Sequence, residues 1–331
     1  MRKAIIYGTG KYFFSHKHLL PKDIDIIAYA DSDEKKATSH TGIPFEGKEM
    51  LAPSMIGEKE FDLLYICTDY PLAHKIFNDL KSYNIDLSKI RFLYRIDSMY
   101  EWGYVIQEDR SLISTIDGIK INEKSLTDSD ILTEVFAMGS YDVHLPEEDS
   151  IFIDVGMNVG IVSLYFARYE WISKIYGFEP FPDTYNQALY NFSLNDAAVR
   201  DKISPFNVAL FDKDEDMEVS VNAEEFGWRS IMCQRGGGER RVKIVSRKAS
   251  TEIKKIITEN PGKRIILKID VEGSEFPIFE SLKETDVLSN IDVIMLEYHK
   301  MPEPINEVLS SYGFKFFVIG RWNFGMIFAV K

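Results

Sequence analysis

Apolar residues along the chain fall into short, near-continuous runs separated by stretches of helical spacing, the pattern of strands buried on both faces of a parallel sheet. Ala4 to Tyr7, Ile24 to Ala30, Phe61 to Thr68 and Ile90 to Tyr94 give a first series, with a helix over Pro71 to Tyr83. A second series begins at Ile151 and continues through Lys174 to Glu179, Ile203 to Leu210, Arg264 to Asp270 and Ile291 to Tyr298. Met217 to Val221 and Arg241 to Ser246 predict two antiparallel segments. Phe314 to Ile319 and Gly325 to Val330 predict a terminal hairpin, which gives a mostly parallel sheet an antiparallel edge. The fold class is therefore α/β with two Rossmann-like domains, residues 1–95 and 151–331, joined by a connector over 96–150. Within the connector, Thr127 to Asp130 reads as a capping box that starts a helix over Ile131 to Met138, ended by Gly139. The connector is expected to pack over the mouth of the second domain.

A length of 331 residues suffices for two cored domains. The balance of 39 Lys and Arg against 52 Asp and Glu, a net charge of −13, argues against general nucleic-acid binding. Cys67 and Cys233 are too few for a disulfide framework and point to a reducing compartment. No apolar run approaches the ~20 residues of a membrane span, and Met1-Arg2-Lys3 leads directly into a strand. The expectation is a soluble cytoplasmic protein.

Two glycine turns follow predicted strands. Gly8-Thr9-Gly10 opens like a dinucleotide fingerprint, but Phe13 stands where its third glycine belongs. In the second domain, Asp154-Val155-Gly156-Met157-Asn158-Val159-Gly160 spaces its glycines four apart, which argues against NAD. S-adenosylmethionine fits better. Asp154 can meet its ammonium and the turn amides its carboxylate. Glu179, at the end of the next strand, can accept from both ribose hydroxyls. Phe181 supplies an apolar wall for adenine and Asn207 a polar edge, so the expected cofactor set is Asp154, Gly156, Asn158, Gly160, Glu179, Phe181 and Asn207.

These runs, with Thr133-Glu134-Val135-Phe136, Tyr141, Asn207 to Leu210, Leu267-Lys268-Ile269-Asp270-Val271-Glu272-Gly273-Ser274-Glu275 and Leu296-Glu297-Tyr298-His299, resemble the FkbM family of S-adenosylmethionine-dependent methyltransferases from about Leu132 onward. The resemblance implies methyl transfer to oxygen, often on a sugar or a polyketide hydroxyl. A leucine-aspartate pair common in the family near Ser246 to Thr251 is absent. Residues 1–95 resemble nucleotide-sugar-binding domains of glycan-modifying enzymes, through Tyr7 to Gly10, Ala30 to Asp33 and Ile66 to Thr68.

Asp270, Glu272 and Glu275 follow one strand and Glu297 and His299 close the next, so all face the crevice beyond the strand ends. His299 is the expected general base because its ordinary pKa lies near working pH, with Asp270 second. Glu272 and Glu297 would orient the base or bind the acceptor, a small molecule or glycan. The carboxylates suit Mg²⁺, but a sulfonium needs no Lewis acid, and no metal is expected. Arg240 and Arg241, near Arg229, Arg235 and Gly236 to Gly238, suggest a basic flap for an anionic acceptor. Two rivals remain at this level: a nucleotide-sugar-binding module with an inactive methyltransferase fold, and an NAD-dependent oxidoreductase using Gly8 and Gly10.

Overall fold

The first apolar runs form a five-stranded parallel sheet: β1 (Arg2–Tyr7), β2 (Ile24–Ala30), β3 (Glu49–Leu51), β4 (Leu63–Ile66) and β5 (Ile90–Phe92), in the order β3-β2-β1-β4-β5. A computed structural model describes residues 1–32, 45–68, 72–83, 85–86, 89–93, 105–106, 112–115, 117–124, 126–221 and 240–331. The chain divides into two compact units, Met1–Arg110 and Ser111–Lys331. In the first unit, Phe13 is fully buried against Tyr29 and Phe45, with ring centroids 5.7 and 6.2 Å away. A large ring fills the space a third fingerprint glycine would leave open. Thr9 Oγ donates to Asp31 Oδ2 at 3.0 Å, so the acid at the end of β2 already has a protein partner.

After β6 (Val105–Ile106), the second unit begins with an antiparallel pair, β7 (Leu112–Ser114) and β8 (Lys120–Asn122). The backbone N–H groups of Lys120 and Asn122 donate to Asn195 Oδ1 and Asn191 Oδ1 at 2.8 and 2.9 Å, which docks β8 on the helix Pro182–Ser193 and the turn after it. The next helix starts at Leu126, ahead of the expected Ile131, because buried Asp128 reaches back to accept the Lys124 N–H at 2.8 Å. It runs straight into a π-helical turn, Thr133–Ala137, where the Met138 N–H donates to Thr133 O. Widened turns of this kind often mark functional sites.

The main sheet has seven strands in the order β11-β10-β9-β15-β16-β18-β17. They are β9 (Ser150–Val155), β10 (Ile172–Phe178), β11 (Ile203–Phe206), β15 (Arg264–Ile269), β16 (Val293–Tyr298), β17 (Lys315–Arg321) and β18 (Phe324–Val330). The first five are parallel and the last two antiparallel, the edge that the terminal pattern predicts. Strand alternation divides the core. Ile151, Ile153 and Val155 pack in one layer with Ile253, Ile278, Leu282 and Leu309 from the later helices. Phe152 points the other way and stacks on Phe166 of the helix Ile161–Ala167, 4.0 Å between centroids.

The expected strand from Ile203 to Leu210 is broken in two. After β11 the chain leaves the main sheet, and β12 (Ala209–Phe211) joins β14 (Arg240–Lys248) and β13 (Glu215–Val221) in a separate three-stranded sheet. The antiparallel pairing of β13 with β14 follows the sequence expectation. Pro205 is accommodated inside β11, an edge strand, and the break comes at the Asn207 corner.

Candidate active site

β9 is buried along its whole length and delivers the turn that follows it to the open end of the sheet. Gly156, Asn158 and Gly160 all have positive φ, 83°, 52° and 84°. At Gly156 the requirement is steric as well as conformational: a Cβ would lie 1.7 Å from the Asp270 carbonyl oxygen. That close approach clamps β9 to β15, where the Asp270 N–H donates to Val155 O at 3.0 Å. Asn158 tolerates the left-handed region through its own side chain, whose Oδ1 accepts the Val159 N–H at 2.7 Å.

Glu179 follows β10 directly. Its Oε2 accepts the Asn158 N–H at 3.0 Å and its Oε1 the Phe181 N–H at 2.9 Å. These two bonds fix the plane of the carboxylate, which lines a cavity. That cavity, open to solvent, is lined by Val155, Gly156, Asn158, Phe178, Glu179, Phe181, Ala209 and Leu210. Asp130, Glu134, Asp270, Glu272, Glu297 and Phe324 also line it.

Three of the expected cofactor residues, Asp154, Gly160 and Asn207, lie outside this wall. Gly160 packs against Phe192, whose ring a Cβ there would meet at 2.4 Å. Asp154 is fully buried beneath the wall, with Oδ2 accepting from Ser163 Oγ at 2.7 Å and Oδ1 3.1 Å from Lys268 Nζ. The ammonium that the sequence reading assigns to Asp154 is here a lysine of the protein itself. Lys268 also donates to Gly156 O at 2.6 Å and stands 3.5 Å from Asp270. Burial alone would lower the lysine pKa, but Asp154 and Asp270 outweigh it and the pKa is raised. For Asp154, burial raises the pKa and Lys268 pulls against it. Asn207 is the third: it stands past the end of β11, and its Nδ2 donates to the carbonyls of Glu179 and Pro180 at 2.9 and 3.1 Å. It shapes the loop that carries Glu179 and Phe181.

Of the expected basic grip, Arg241 is not among the residues of the wall. The strand β14 starts at Arg240, paired with Val221, and the Arg241 Nη1 reaches Glu218 Oε2 at 3.3 Å. Arg229, Arg235 and Gly236 to Gly238 fall outside the described residues. Among the described residues, the wall contains no Lys or Arg.

His299 sits in a cage of acids. Its Nδ1 lies 2.8 Å from Glu275 Oε1, and its Nε2 is 3.3 Å from Glu272 Oε2 and 3.8 Å from Glu297 Oε1. Burial works to lower its pKa, but the hydrogen bond to Glu275 and the charges of Glu272, Glu275 and Asp270 prevail and raise it to about 9. A ring that keeps its proton at neutral pH has no lone pair to offer, so the raised pKa weighs against the general-base role expected from the sequence. Glu297 is pushed far up by burial and by the charges of Asp270 and Glu134, and Glu134 rises for the same two reasons, burial and Asp270. Asp270, Glu297 and His299 bring ligand atoms within 4.8 Å of one another, a grouping of the size that a divalent cation uses.

Residues 154–316 match the family model described as Methyltransferase FkbM domain, and residues 1–91 match one described as C2185-like, N-terminal. Methyltransferase sdnD of Sordaria araneosa is 25% identical over 210 residues, covering 56% of this chain and 81% of that protein. Methyltransferase 1 of Beauveria bassiana (strain ARSEF 2860) is 24% identical over 198 residues, covering 55% and 78%. Among solved structures, human methyltransferase 10 domain containing protein aligns with a TM-score of 0.37 at 10% identity, over 72% of this chain and 93% of that one. The enzyme is an S-adenosylmethionine-dependent methyltransferase.

The methyltransferase cavity fits that cofactor on its own geometry. A cradle that no Cβ could enter lies at Gly156, beside a rigidly held Glu179 and the apolar surfaces of Phe178, Phe181, Val155 and Leu210. Replacing Glu179 by Ala should raise the Kd for S-adenosylhomocysteine by roughly 10- to 100-fold, the worth of hydrogen bonds to a charged group. Glu179→Gln, which keeps one oxygen acceptor, should cost less; calorimetry giving equal losses would mean that the charge and second oxygen of the carboxylate carry the binding and that its shape contributes nothing.

The roles of several site residues escaped sequence reasoning. Lys268 was detectable as a lone charge in the apolar run Arg264–Ile269, since a buried ammonium requires an acidic partner. Glu275 looks like a helix-capping acid, and it does accept the Gly273 N–H at 2.9 Å while also holding His299. Glu134 and Phe324 reach the cavity from distant segments, and no local pattern announces that.

Proposed function

We propose that the enzyme methylates a hydroxyl on an uncharged sugar ring of a glycan or of its precursor, with Asp270 as the proton acceptor. The observation that carries this reading is the acceptor side of the cavity wall, where Asp130, Glu134, Asp270, Glu272 and Glu297 meet Phe324. Carboxyl groups accept from ring hydroxyls, an aromatic face packs on the C–H face of a ring, and an anionic acceptor would meet like charge.

S-adenosylmethionine, when bound, supplies an electrophilic methyl group. The transfer forms a C–O bond as a C–S bond breaks, and the hydroxyl proton must leave. Asp270 is the carboxylate placed to take it, fixed at the β15 end and 3.5 Å from the Lys268 ammonium. Glu272 and Glu297 position neighbouring hydroxyls, and His299, keeping its proton, balances the charge that gathers around them. Helix Leu126–Leu132 and the π-turn supply Asp130 and Glu134, the side of the wall that separates the reacting groups from water.

The test is methyl transfer to matched neutral hexosides and hexuronides over pH 6 to 10. Neutral acceptors should be favoured about tenfold or more in kcat/KM, and a preference for hexuronides overturns the reading. His299 is charged below its raised pKa of about 9, so the rate should hold through neutral pH and fall as pH passes about 9. A rate that instead climbs through that pH would restore His299 as the base. The same sign governs stability: the His299 contribution is complete below its ordinary pKa of 6.5 and is lost as pH rises through about 9.

A further inference from the structure

The hairpin that closes the sheet presents an apolar row to solvent, and that row begins inside the cavity. In the β17/β18 register, Phe317 faces Phe328, Ile319 faces Met326 and Arg321 faces Phe324. In the β16/β18 register, Glu297 faces Met326. Paired residues point to the same side of a sheet, so Glu297, Met326 and Ile319 form one cross-strand row. Phe324 lies one step further along the same face, its ring 5.6 Å from that of His299. Two strand spacings, about 10 Å, separate the Glu297 carboxyl from Ile319.

The outer part of this row is open. Ile319 is 60% exposed, Phe324 51% and Phe317 50%, with Met326 half-buried between them. Single exposed apolar residues are ordinary, but a contiguous row joined to a ligand cavity is not. The opposite face of the same hairpin behaves as a sheet should, with Ile327 and Ala329 in the core and Phe316 packed against it. Tyr298 fixes the tip of the hairpin over the cavity, its hydroxyl donating to Arg321 O at 2.6 Å.

We propose that Phe324, Met326, Ile319 and Phe317 form a subsite for an apolar body carried by the acceptor, whose hydroxyl-bearing end enters the acidic cavity. The inference rests on the sugar-hydroxyl reading only for the identity of that polar end. The occupant follows from continuity: Phe324 belongs to the cavity wall and to the row, so a molecule leaving the cavity past Phe324 lies on Met326 and then Ile319. An extended chain of about eight carbons spans that distance. The acceptor is thus amphipathic, a polyhydroxyl head with a hydrocarbon or hydrophobic ring system behind it.

The test titrates the full chain, with S-adenosylhomocysteine bound, using methyl β-D-glucopyranoside, n-octyl β-D-glucopyranoside below its micelle concentration, and 1-octanol. The octyl glucoside should bind at least about tenfold more tightly than the methyl glucoside. Ile319→Lys should bring the two within about twofold of each other, and Ile319→Leu should keep the difference, with S-adenosylhomocysteine affinity unchanged in both. Equal binding of the two glucosides to the unaltered enzyme overturns the proposal, as does a difference that survives Ile319→Lys. Octanol binding as tightly as octyl glucoside, and losing affinity in Ile319→Lys, supports the subsite while removing the sugar head. Sedimentation supplies the remaining arm: a dimer of the unaltered enzyme that Ile319→Lys dissociates would mean that a second copy covers the row, and the proposal falls.

Discussion

Gly156→Ala should abolish measurable binding of S-adenosylhomocysteine and lower the stability of the second unit by roughly 2–4 kcal/mol, the sum of overpacking and of a left-handed conformation imposed on a residue with a Cβ. The new methyl group would sit 1.7 Å from the Asp270 carbonyl oxygen, and backbone cannot swing aside as a side-chain tip can. Either β15 moves away from β9 or the turn opens, and both displace Asp270 relative to Glu179. Gly262→Ala is the control. Its φ is 76°, close to that of Gly156, but its Cβ would meet nothing within 4 Å. It should therefore cost only about 1 kcal/mol and leave binding intact. Calorimetry and thermal unfolding giving the same result for both variants would show that the glycine is needed for its conformation alone.

Lys268→Met should destabilise the second unit by about 3–5 kcal/mol, because it strands the Asp154 carboxylate without its buried partner. The methionine fills similar volume, so the loss is one of charge balance and of the bond to Gly156 O. Removing both charges, in Asp154→Asn with Lys268→Met, should recover much of the loss. Urea unfolding, with the two units followed by separate probes, would decide the matter. A double variant as unstable as the single one would show that the hydrogen bonds of Lys268, and not its pairing with Asp154, hold the β9 and β15 ends together. The prediction also separates two roles that the sequence merges: Asp154 stands at the strand end where a ligand-binding acid belongs, yet its two oxygens serve Ser163 and Lys268.

What could be read from the sequence followed the range of the forces involved. Buried parallel strands announce themselves as apolar runs, and the glycine turn after β9 is legible because its backbone demands a residue type. The terminal hairpin was equally clear, being local. The break between β11 and β12 was not, since Ile203 to Leu210 is apolar enough for one strand and only the competing β14 pulls Ala209–Phe211 away. The start of the helix at Leu126 depended on Asp128 reaching backward, an alternative use of a residue that also suits a forward cap. His299 shows the limit most sharply. An isolated histidine near neutral pH makes a good base, and only the three-dimensional convergence of Glu275, Glu272 and Asp270 raises its pKa against the effect of burial.

The order of strands in the second unit also sets a sequence of events during synthesis. β18 lies between β16 and β17, although β17 precedes it in the chain. A nascent chain that has emerged only as far as residue 321 therefore has a complete β17 with no neighbour and a β16 whose outer edge is bare. At about 5–20 residues per second, that edge stays uncovered for the fraction of a second or more that residues 322 to 330 need to appear. The last strand to arrive therefore pairs the edges of β16 and β17 in one step, while the apolar face of β17 stays open in the finished sheet.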